Sequence, residues 1–358
     1  MKILKYLSFL LVLITMYQCS SDSTPETDYK QEVIKTTTDV LIVPRIDSFV
    51  QKVTEFQLAV QAFSTTQNEA NLNVMRAKLN DVSLIYAKLY IYNIGEAKNN
   101  FMNRKLNFWP VFNISIEKQV QEGTFTQASI LQLGSAAKNL PGLNYLIFKD
   151  KDASKTLAEY TAQPHRSRFL KLVTNEFLQH AKSLQAIWSE SGKNYAKSFK
   201  ENRENGLTSS FNLLFNGAYN VVDNCKVTKI GKPGGLEKSP HTNPEIVENY
   251  YAENSLELVY QNLLSVEEVF FSKEITSISK YIESKTKNND LNTKVQQRIN
   301  AVKTAIKAVK SPLKTAVNTE KDNVKAVHTA FKELLMVLHT EVRSTLGIII
   351  TGTDNDGD

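Results

Sequence analysis

Apolar residues recur every three or four positions in three long segments of the chain. This spacing places them along one face of an α-helix, which then buries that face against a neighbour. The stripes are Ile46, Phe49, Val50, Val53, Phe56, Val60 and Phe63; Leu256, Val259, Tyr260, Leu263, Val266 and Phe270; and Val324, Val327, Phe331, Leu334, Leu335, Leu338 and Val342. Strand-like alternation between hairpin turns is lacking, and 13 glycines and 9 prolines in 358 residues make a β-rich fold improbable. We therefore predict an all-α fold of long amphipathic helices packed as bundles.

The first residues are typical of an export signal. Two lysines precede an apolar stretch, Leu7 to Met16, which is much shorter than the roughly 20 residues of a membrane-spanning helix. Cys19 and a polar segment follow, an order typical of bacterial lipoproteins. We predict a signal peptide over residues 1–18, lipidation of Cys19 and a polar tether over residues 19–30. The alternative is an ordinary cleaved signal peptide with an incidental cysteine.

The predicted lipid anchor determines the expected location. Several acyl chains hold a protein firmly on a bilayer, because each buried CH₂ group contributes about 0.8 kcal/mol. We therefore expect the mature protein to be anchored to a membrane of the bacterial cell envelope, and we expect that membrane to be the outer membrane. It would face the periplasm or the cell surface.

The charge and the cysteine content argue against a nucleic-acid-binding protein and against a disulfide-stabilised one. The formal net charge at pH 7 is +6, which is too small to indicate nucleic acid as a partner. Cys225 is the only cysteine besides Cys19, so a disulfide framework is impossible and a large apolar core has to stabilise the chain. The histidines are at spacings unlike those of zinc enzymes, and they are His165, His180, His241, His328 and His339.

Two long stretches interrupt the helical periodicity, Asn107–Gly123 and Lys226–Pro244. Non-periodic stretches of this length in a helical protein are usually functional or disordered. A polar stretch, Gly192–Leu207, is the candidate domain boundary. We predict an N-terminal bundle over residues 31–195 and a C-terminal bundle over residues 205–358.

A series of short motifs follows in a fixed order along the mature chain. They are Val43-Pro44-Arg45, Leu106-Asn107-Phe108-Trp109-Pro110-Val111, Leu140-Pro141-Gly142-Leu143-Asn144-Tyr145-Leu146-Ile147-Phe148, Lys229-Ile230-Gly231-Lys232-Pro233, and Glu248-Asn249-Tyr250-Tyr251 before Ser255-Leu256. Each motif alone is unspecific, but their succession resembles the imelysin family of bacterial envelope proteins, which includes iron-regulated lipoproteins. The resemblance implies two helical bundles that face each other across a cleft.

The signature of that family, Gly-x-His-x-x-Glu, is degenerate in this chain. The resemblance places Asn139, Pro141 and Asn144 at the Gly, His and Glu positions. A His and a Glu three residues apart share a helix face and can reach one metal ion. Proline has no ligating group and asparagine offers only a neutral amide, so we expect neither a metal nor another cofactor here. Asn139 and Pro141 instead predict a helix start, a capping Asn with Pro in the first turn.

The resemblance also implies a set of cleft residues. They are Trp109, Asn144, Arg166, Glu248, Tyr251 and Ser255. Aromatic rings and one arginine beside polar groups suit an organic ligand better than a bare ion. We expect a non-catalytic protein that binds a small ligand, a peptide or an envelope protein there, in a context of iron uptake. Two alternatives stay open: a metal-binding protein or metallopeptidase that uses surviving carboxylates such as Glu248, and a helical scaffold without a small-molecule site.

Overall fold

The computed structural model describes residues 28–352, so Cys19 and the predicted signal peptide lie outside the described residues. Within that range all regular structure is helical, which confirms the predicted all-α class. The helices are α1 Tyr29–Thr36, α2 Val43–Thr65, α3 Glu69–Leu89, α4 Gly95–Asn99, α5 Met102–Leu106, α6 Asn113–Glu122, α7 Gln127–Leu131, α8 Ser135–Lys138, α9 Leu140–Phe148, α10 Ala153–Ala162, α11 Pro164–Trp188, α12 Tyr195–Glu201, α13 Ser210–Asn224, α14 Lys232–Gly234, α15 Ser255–Phe271, α16 Ile278–Thr286, α17 Asp290–Ala308, α18 Leu313–Thr319, α19 Lys321–Val337 and α20 Arg343–Leu346.

Shorter helical turns connect several of these helices. The π-helical turns are Thr37–Ile42, Cys225–Gly231 and Leu338–Val342, and the 3₁₀ turns are Tyr90–Tyr92 and Pro244–Ile246. Among the described helices, none combines the length and apolar character needed to cross a membrane.

One bundle forms around α2, α3 and α11. The Asn68 side chain accepts a 2.8 Å hydrogen bond from Asn71 N–H and starts α3 directly after α2. α11 packs along α2, where the rings of Phe49 and Phe177 meet edge to face with 6.2 Å between centroids. Burial of such apolar surface is the main stabilising contribution of this bundle.

A second group of helices consists of α13, α15, α17 and α19. α17 packs against α19, and α15 packs against both α13 and α17. α15 also contacts α3, so the apolar residues of both groups belong to one continuous core. The predicted division at residues 195–205 stays a prediction.

The three predicted apolar stripes lie on α2, on α15 and on α19 with the π-helical turn that continues it. Leu338 and Val342 of that turn are fully buried. The stripe therefore persists past the end of α19, because the wider π turn keeps both side chains on the buried face.

Both stretches predicted to be non-periodic contain helix, so that part of the prediction was wrong. α6 occupies Asn113–Glu122 and buries only two of its side chains, Ile116 and Val120, too few to produce a visible stripe. Cys225–Gly231 continues α13 as a π-helical turn, whose extra residue per turn disturbs the α-helical spacing. Within the two stretches, only residues 107–112 and the segment after Gly235 have an irregular backbone.

Candidate functional site

Three segments that are distant in sequence enclose a pocket of about 350 Å³. Residues 109–113, before and at the start of α6, form one wall. Pro141 and Asn144 of α9 form the floor, and residues 243–251 form the opposite wall. The volume falls within the range of about 300–1,000 Å³ that is common for small-molecule sites.

The floor of the pocket depends on how α9 begins. α9 starts at Leu140 with Pro141 in its first turn, as predicted, but the Asn139 side chain makes no capping hydrogen bond. Its Nδ2 group donates instead to the carbonyl of Arg104, 3.3 Å away. A Cβ atom on Gly142 would lie 2.5 Å from the carbonyl oxygen of Ala137, so only glycine allows α9 to pack this closely on α8.

Asn144 holds the opposite wall in place. Its Oδ1 atom accepts a 3.0 Å hydrogen bond from Ala252 N–H. The wall needs such support because Asn249 and Glu253 have left-handed backbones, with φ values of 50° and 61°, which non-glycine residues rarely adopt. The Asn144 side chain therefore stabilises a strained turn of the pocket.

Glu253 at the end of that turn is bound by two lysines from different parts of the fold. One is Lys151, between α9 and α10, and the other is Lys314 of α18, whose Nζ lies 2.7 Å from Glu253 Oε1. Burial raises the pKa of the Glu253 carboxyl, but the two lysine hydrogen bonds outweigh that effect and hold the pKa below its ordinary value. Lys314 Nζ also lies 4.5 Å from the centroid of the Tyr250 ring. We call Lys151, Glu253 and Lys314 the clasp.

A buried ion pair lies behind the first wall. Lys229 and Glu248 are 3% and 2% exposed, and Lys229 Nζ is 2.6 Å from Glu248 Oε2. Lys229 Nζ also donates to Asn262 Oδ1 at 2.6 Å, and Asn107 Nδ2 donates to Glu248 Oε1 at 2.6 Å. The lysine lies 5.4 Å from the centroid of the Trp109 ring. This network fixes the Trp109 ring from the protein side, since Lys229 itself does not line the pocket.

A second charged network lies below the floor. The fully buried Arg166 donates through Nη2 to both oxygens of Glu117, at 2.6 and 2.7 Å, and to Glu159 at 3.0 Å. Burial raises the pKa of Glu117, but hydrogen bonds from Tyr145 and Arg166 overcome this effect and lower it. The Tyr145 ring contacts Tyr251 edge to face at 5.1 Å, so this network supports the pocket through one aromatic contact.

The six predicted cleft residues thus divide into two sets. Three line the pocket: Trp109, Asn144 and Tyr251. Three belong to the networks behind it: Arg166, Glu248 and Ser255, whose hydroxyl donates to the Glu248 carbonyl. Sequence reasoning missed further wall residues, namely Asn113, Asn243, Glu245, Asn249 and Tyr250. Asn113 and Asn243 lie in the two stretches without a clear stripe, and Asn249 and Tyr250 lie in a motif that carried the resemblance, but neither feature singled them out as pocket residues.

The donor set of the pocket does not fit a transition metal. Pro141 offers no ligand, and the Oδ1 atom of Asn144 already accepts the Ala252 N–H. In residues 28–352 no three His, Cys, Asp or Glu side chains converge as metal ligands would. The five histidines have other partners or positions. His180 Nε2 lies 3.2 Å from Glu176, His328 Nε2 lies 2.8 Å from Glu237 and His339 Nδ1 lies 3.0 Å from the Tyr219 hydroxyl, while His165 and His241 are exposed.

Fold and pocket together define an all-α helical-bundle protein with a ligand-sized cavity between its helices. The imelysin family model matches residues 42–338, and the chain belongs to that family. The family assignment made from the motif order is thereby confirmed.

Two solved structures are similar to this chain. One is described as an iron-regulated protein A precursor of Parabacteroides distasonis, with a TM-score of 0.73 and 18% identity over 91% of this chain and 97% of that chain. The other is an imelysin-like protein of Psychrobacter arcticum, with a TM-score of 0.65 and 15% identity over 90% and 97%. At these identities the likeness establishes the shared fold alone. No curated protein sequence matches the chain.

Proposed function

We propose that this protein is a non-catalytic binding protein that holds a small organic ligand in the pocket. The observation that carries the proposal is the composition of the walls: the rings of Trp109, Tyr250 and Tyr251 together with several carboxamides. Rings and amides bind ligands by stacking and hydrogen bonding, and neither group activates water.

The supports behind the walls agree with a binding role. Lys229 and Glu248 hold Trp109, Arg166 and Glu117 support Tyr251 through Tyr145, and the clasp holds the turn that carries Tyr250 and Tyr251. A pocket whose residues are fixed in advance loses less conformational entropy when a ligand binds. The networks therefore favour affinity at the pocket.

We propose further that the protein acts at the cell envelope in an iron-linked process, anchored through Cys19. Family membership and the description of the Parabacteroides relative as iron-regulated support this link. The Asn144 and Pro141 positions direct the proposal towards binding of an organic molecule and away from a bare iron ion.

A metallopeptidase that uses Glu248 is less well supported. Its carboxylate is 2% exposed, contacts Lys229 and Asn107, and does not line the pocket. A general base has to come within hydrogen-bond reach of its substrate or of a water between them. In the described part of the chain, Glu248 is therefore a structural group.

Intrinsic fluorescence provides the test, because the chain has two tryptophans and only Trp109 lines the pocket. Trp188 is 1% exposed. Protein lacking the first 19 residues should be titrated with N-acetylglucosamine, alanyl-alanine and the ferric complexes of acetohydroxamate and 2,3-dihydroxybenzoate. We expect at least one probe to change the tryptophan fluorescence in a saturable way, and calorimetry to confirm that this probe binds. The fluorescence change should be absent in Trp109→Phe. The proposal fails if no probe binds, or if binding is identical in a variant that fills the pocket, Asn243→Trp.

A further inference from the structure

The wall of the pocket carries very little charge. Glu245 is the one acidic residue among the described residues that line it, and no lysine, arginine or histidine does so. A phosphate, sulfate or carboxylate would meet no cation at the wall and would be repelled by Glu245. The pocket is therefore poorly suited to an anion.

The aromatic walls are equally unsuited to a cation. Rings bind ammonium groups through the negative potential of their faces, but Lys229 already lies 5.4 Å from the Trp109 centroid and Lys314 lies 4.5 Å from the Tyr250 centroid. Both ammonium groups are paired with carboxylates, Glu248 and Glu253, so they add little net charge to the pocket, but they already take the cation–π contacts that a cationic ligand would need. Glu245 alone remains to attract it, and Glu245 is exposed to water, where a single pair contributes little.

What the wall does offer is a set of neutral donors and acceptors. The Oδ1 atom of Asn144 is bonded to Ala252 N–H, which leaves its Nδ2 group as a donor for a ligand. Asn249 donates through Nδ2 to Asn254 Oδ1 at 3.1 Å, which leaves its Oδ1 as an acceptor. Asn243, exposed at the rim, offers both kinds of group.

We propose, building on the ligand-binding function above, that the pocket selects an uncharged saccharide of one or a few rings. Each sugar hydroxyl both donates and accepts, which matches carboxamides that present a donor at Asn144 and an acceptor at Asn249. Glu245 accepts from neighbouring hydroxyls without needing a counter-charge. The C–H face of a sugar ring stacks on flat apolar surface, which Trp109, the prolines and the tyrosines of the wall provide.

The experiment compares neutral sugars with charged relatives of the same shape. Protein lacking the first 19 residues is titrated with the methyl glycosides of glucose, galactose and mannose and with N-acetylglucosamine. Each is paired with its amino sugar and its uronic acid, and Trp109 fluorescence and calorimetry are recorded. We expect at least one neutral sugar to bind ten times or more tightly than both of its charged relatives.

Variants locate the binding in the pocket. Asn243→Ala removes an exposed wall amide without touching the core, and we expect it to weaken sugar binding at least fivefold. Asn73→Ala, an exposed asparagine on α3, is the matched control and should leave the affinity unchanged. Unchanged affinity in Asn243→Ala and in Trp109→Phe would overturn the proposed site.

Other outcomes separate this inference from the function on which it rests. If charged sugars bind as tightly as neutral ones, the saccharide selectivity proposed here is wrong. If no sugar binds but a ferric chelate or the dipeptide does, the ligand class is wrong while the binding function stands. If no probe of any class binds, both are wrong.

Discussion

Lys229 and Glu248 are almost completely withdrawn from water, and each is the main partner of the other. Removal of one member of such a pair leaves an uncompensated buried charge, which typically costs about 3–5 kcal/mol. We predict that Glu248→Gln lowers the free energy of unfolding by about 3 kcal/mol in urea titrations. Glu122→Gln, in the exposed pair with Lys118, is the control and should change it by less than about 0.5 kcal/mol. Equal effects of the two variants would show that the network does not stabilise the fold.

His180 gives the fold a specific dependence on pH. Burial, together with the charges of Lys138 and Lys105, lowers the pKa of His180 from 6.5 to about 4, although Glu176 Oε1 lies 3.2 Å from its Nε2. The folded state keeps the imidazole neutral while the unfolded state takes up a proton. The contribution of the neutral His180 to the stability of the fold is therefore complete above about pH 6.5, and it declines as the pH falls towards about 4.

Thermal unfolding at several pH values tests this assignment. We predict that His180→Gln has a shallower loss of melting temperature between pH 6.5 and 4 than the native protein. His241→Gln, a change at an exposed loop residue, serves as the surface control. A native-like pH slope in His180→Gln would contradict the burial of a neutral imidazole.

Individual residues were harder to interpret from the sequence than the motif that contains them. The resemblance aligned Asn144 with the Glu of the signature and so predicted the absence of a metal ligand. It did not predict that the Asn144 amide accepts a hydrogen bond from Ala252 N–H in another segment. Glu248 and Arg166 were assigned to the cleft by resemblance, and the structure places both of these buried side chains in ion pairs behind the pocket. The partners of these side chains lie in other segments of the chain, and the spacing of apolar residues does not predict which segments meet.

Among the elements, the turn of residues 249–254 depends most on contacts from outside itself. Its strained residues Asn249 and Glu253 are kept in place by Asn144 and by the two lysines of the clasp. We predict that Glu253→Gln, which removes the charge but not the shape, raises amide hydrogen exchange in residues 249–254 severalfold. The reason is that a strained turn opens when its supports weaken.

The matched control for that measurement is Glu257→Gln, an exposed change within the first turns of α15. Exchange in residues 249–254 should remain native in that variant. If both variants exchange alike, the clasp does not restrain the turn.

Helices with many buried side chains were predictable, and short or irregular ones were not. The stripes of α2, α15 and α19 follow directly from the need to bury one face. The sequence did not predict α6, because only Ile116 and Val120 of its ten residues are buried. The π-helical turn after α13 was not predicted either, because its residue spacing is not that of an α-helix. This turn carries Lys229, which lies behind the pocket wall.

At the scale of the whole molecule, the order of short motifs carried more information than any single one. It led to the family and to the position of the degenerate signature, and the family match confirms the first of these. The all-α class was predicted from the apolar stripes, and the fold confirms it. The pocket itself needed the structure, because its walls come from residues more than 100 positions apart.

The anchoring of the molecule remains a prediction, since Cys19 lies outside the described residues. We expect the mature protein to sediment with membranes and Cys19→Ala to appear in the soluble fraction, because the acyl chains provide the membrane affinity. Ser20→Ala is the neighbouring control and should leave the protein on the membrane. Membrane association of the Cys19 variant equal to that of the native protein would contradict lipidation.

The central proposal is that the pocket holds no transition metal, because Pro141 and Asn144 stand where the resemblance places the His and Glu of the signature. Elemental analysis tests it most directly, on dialysed protein lacking the first 19 residues and on the same protein with Pro141→His and Asn144→Glu. We predict no stoichiometric iron or zinc in the native sequence, because an amide and a proline supply neither charge nor imidazole. The double variant should gain metal. About one metal ion per chain in the native protein, lost in Glu248→Gln, would contradict the account.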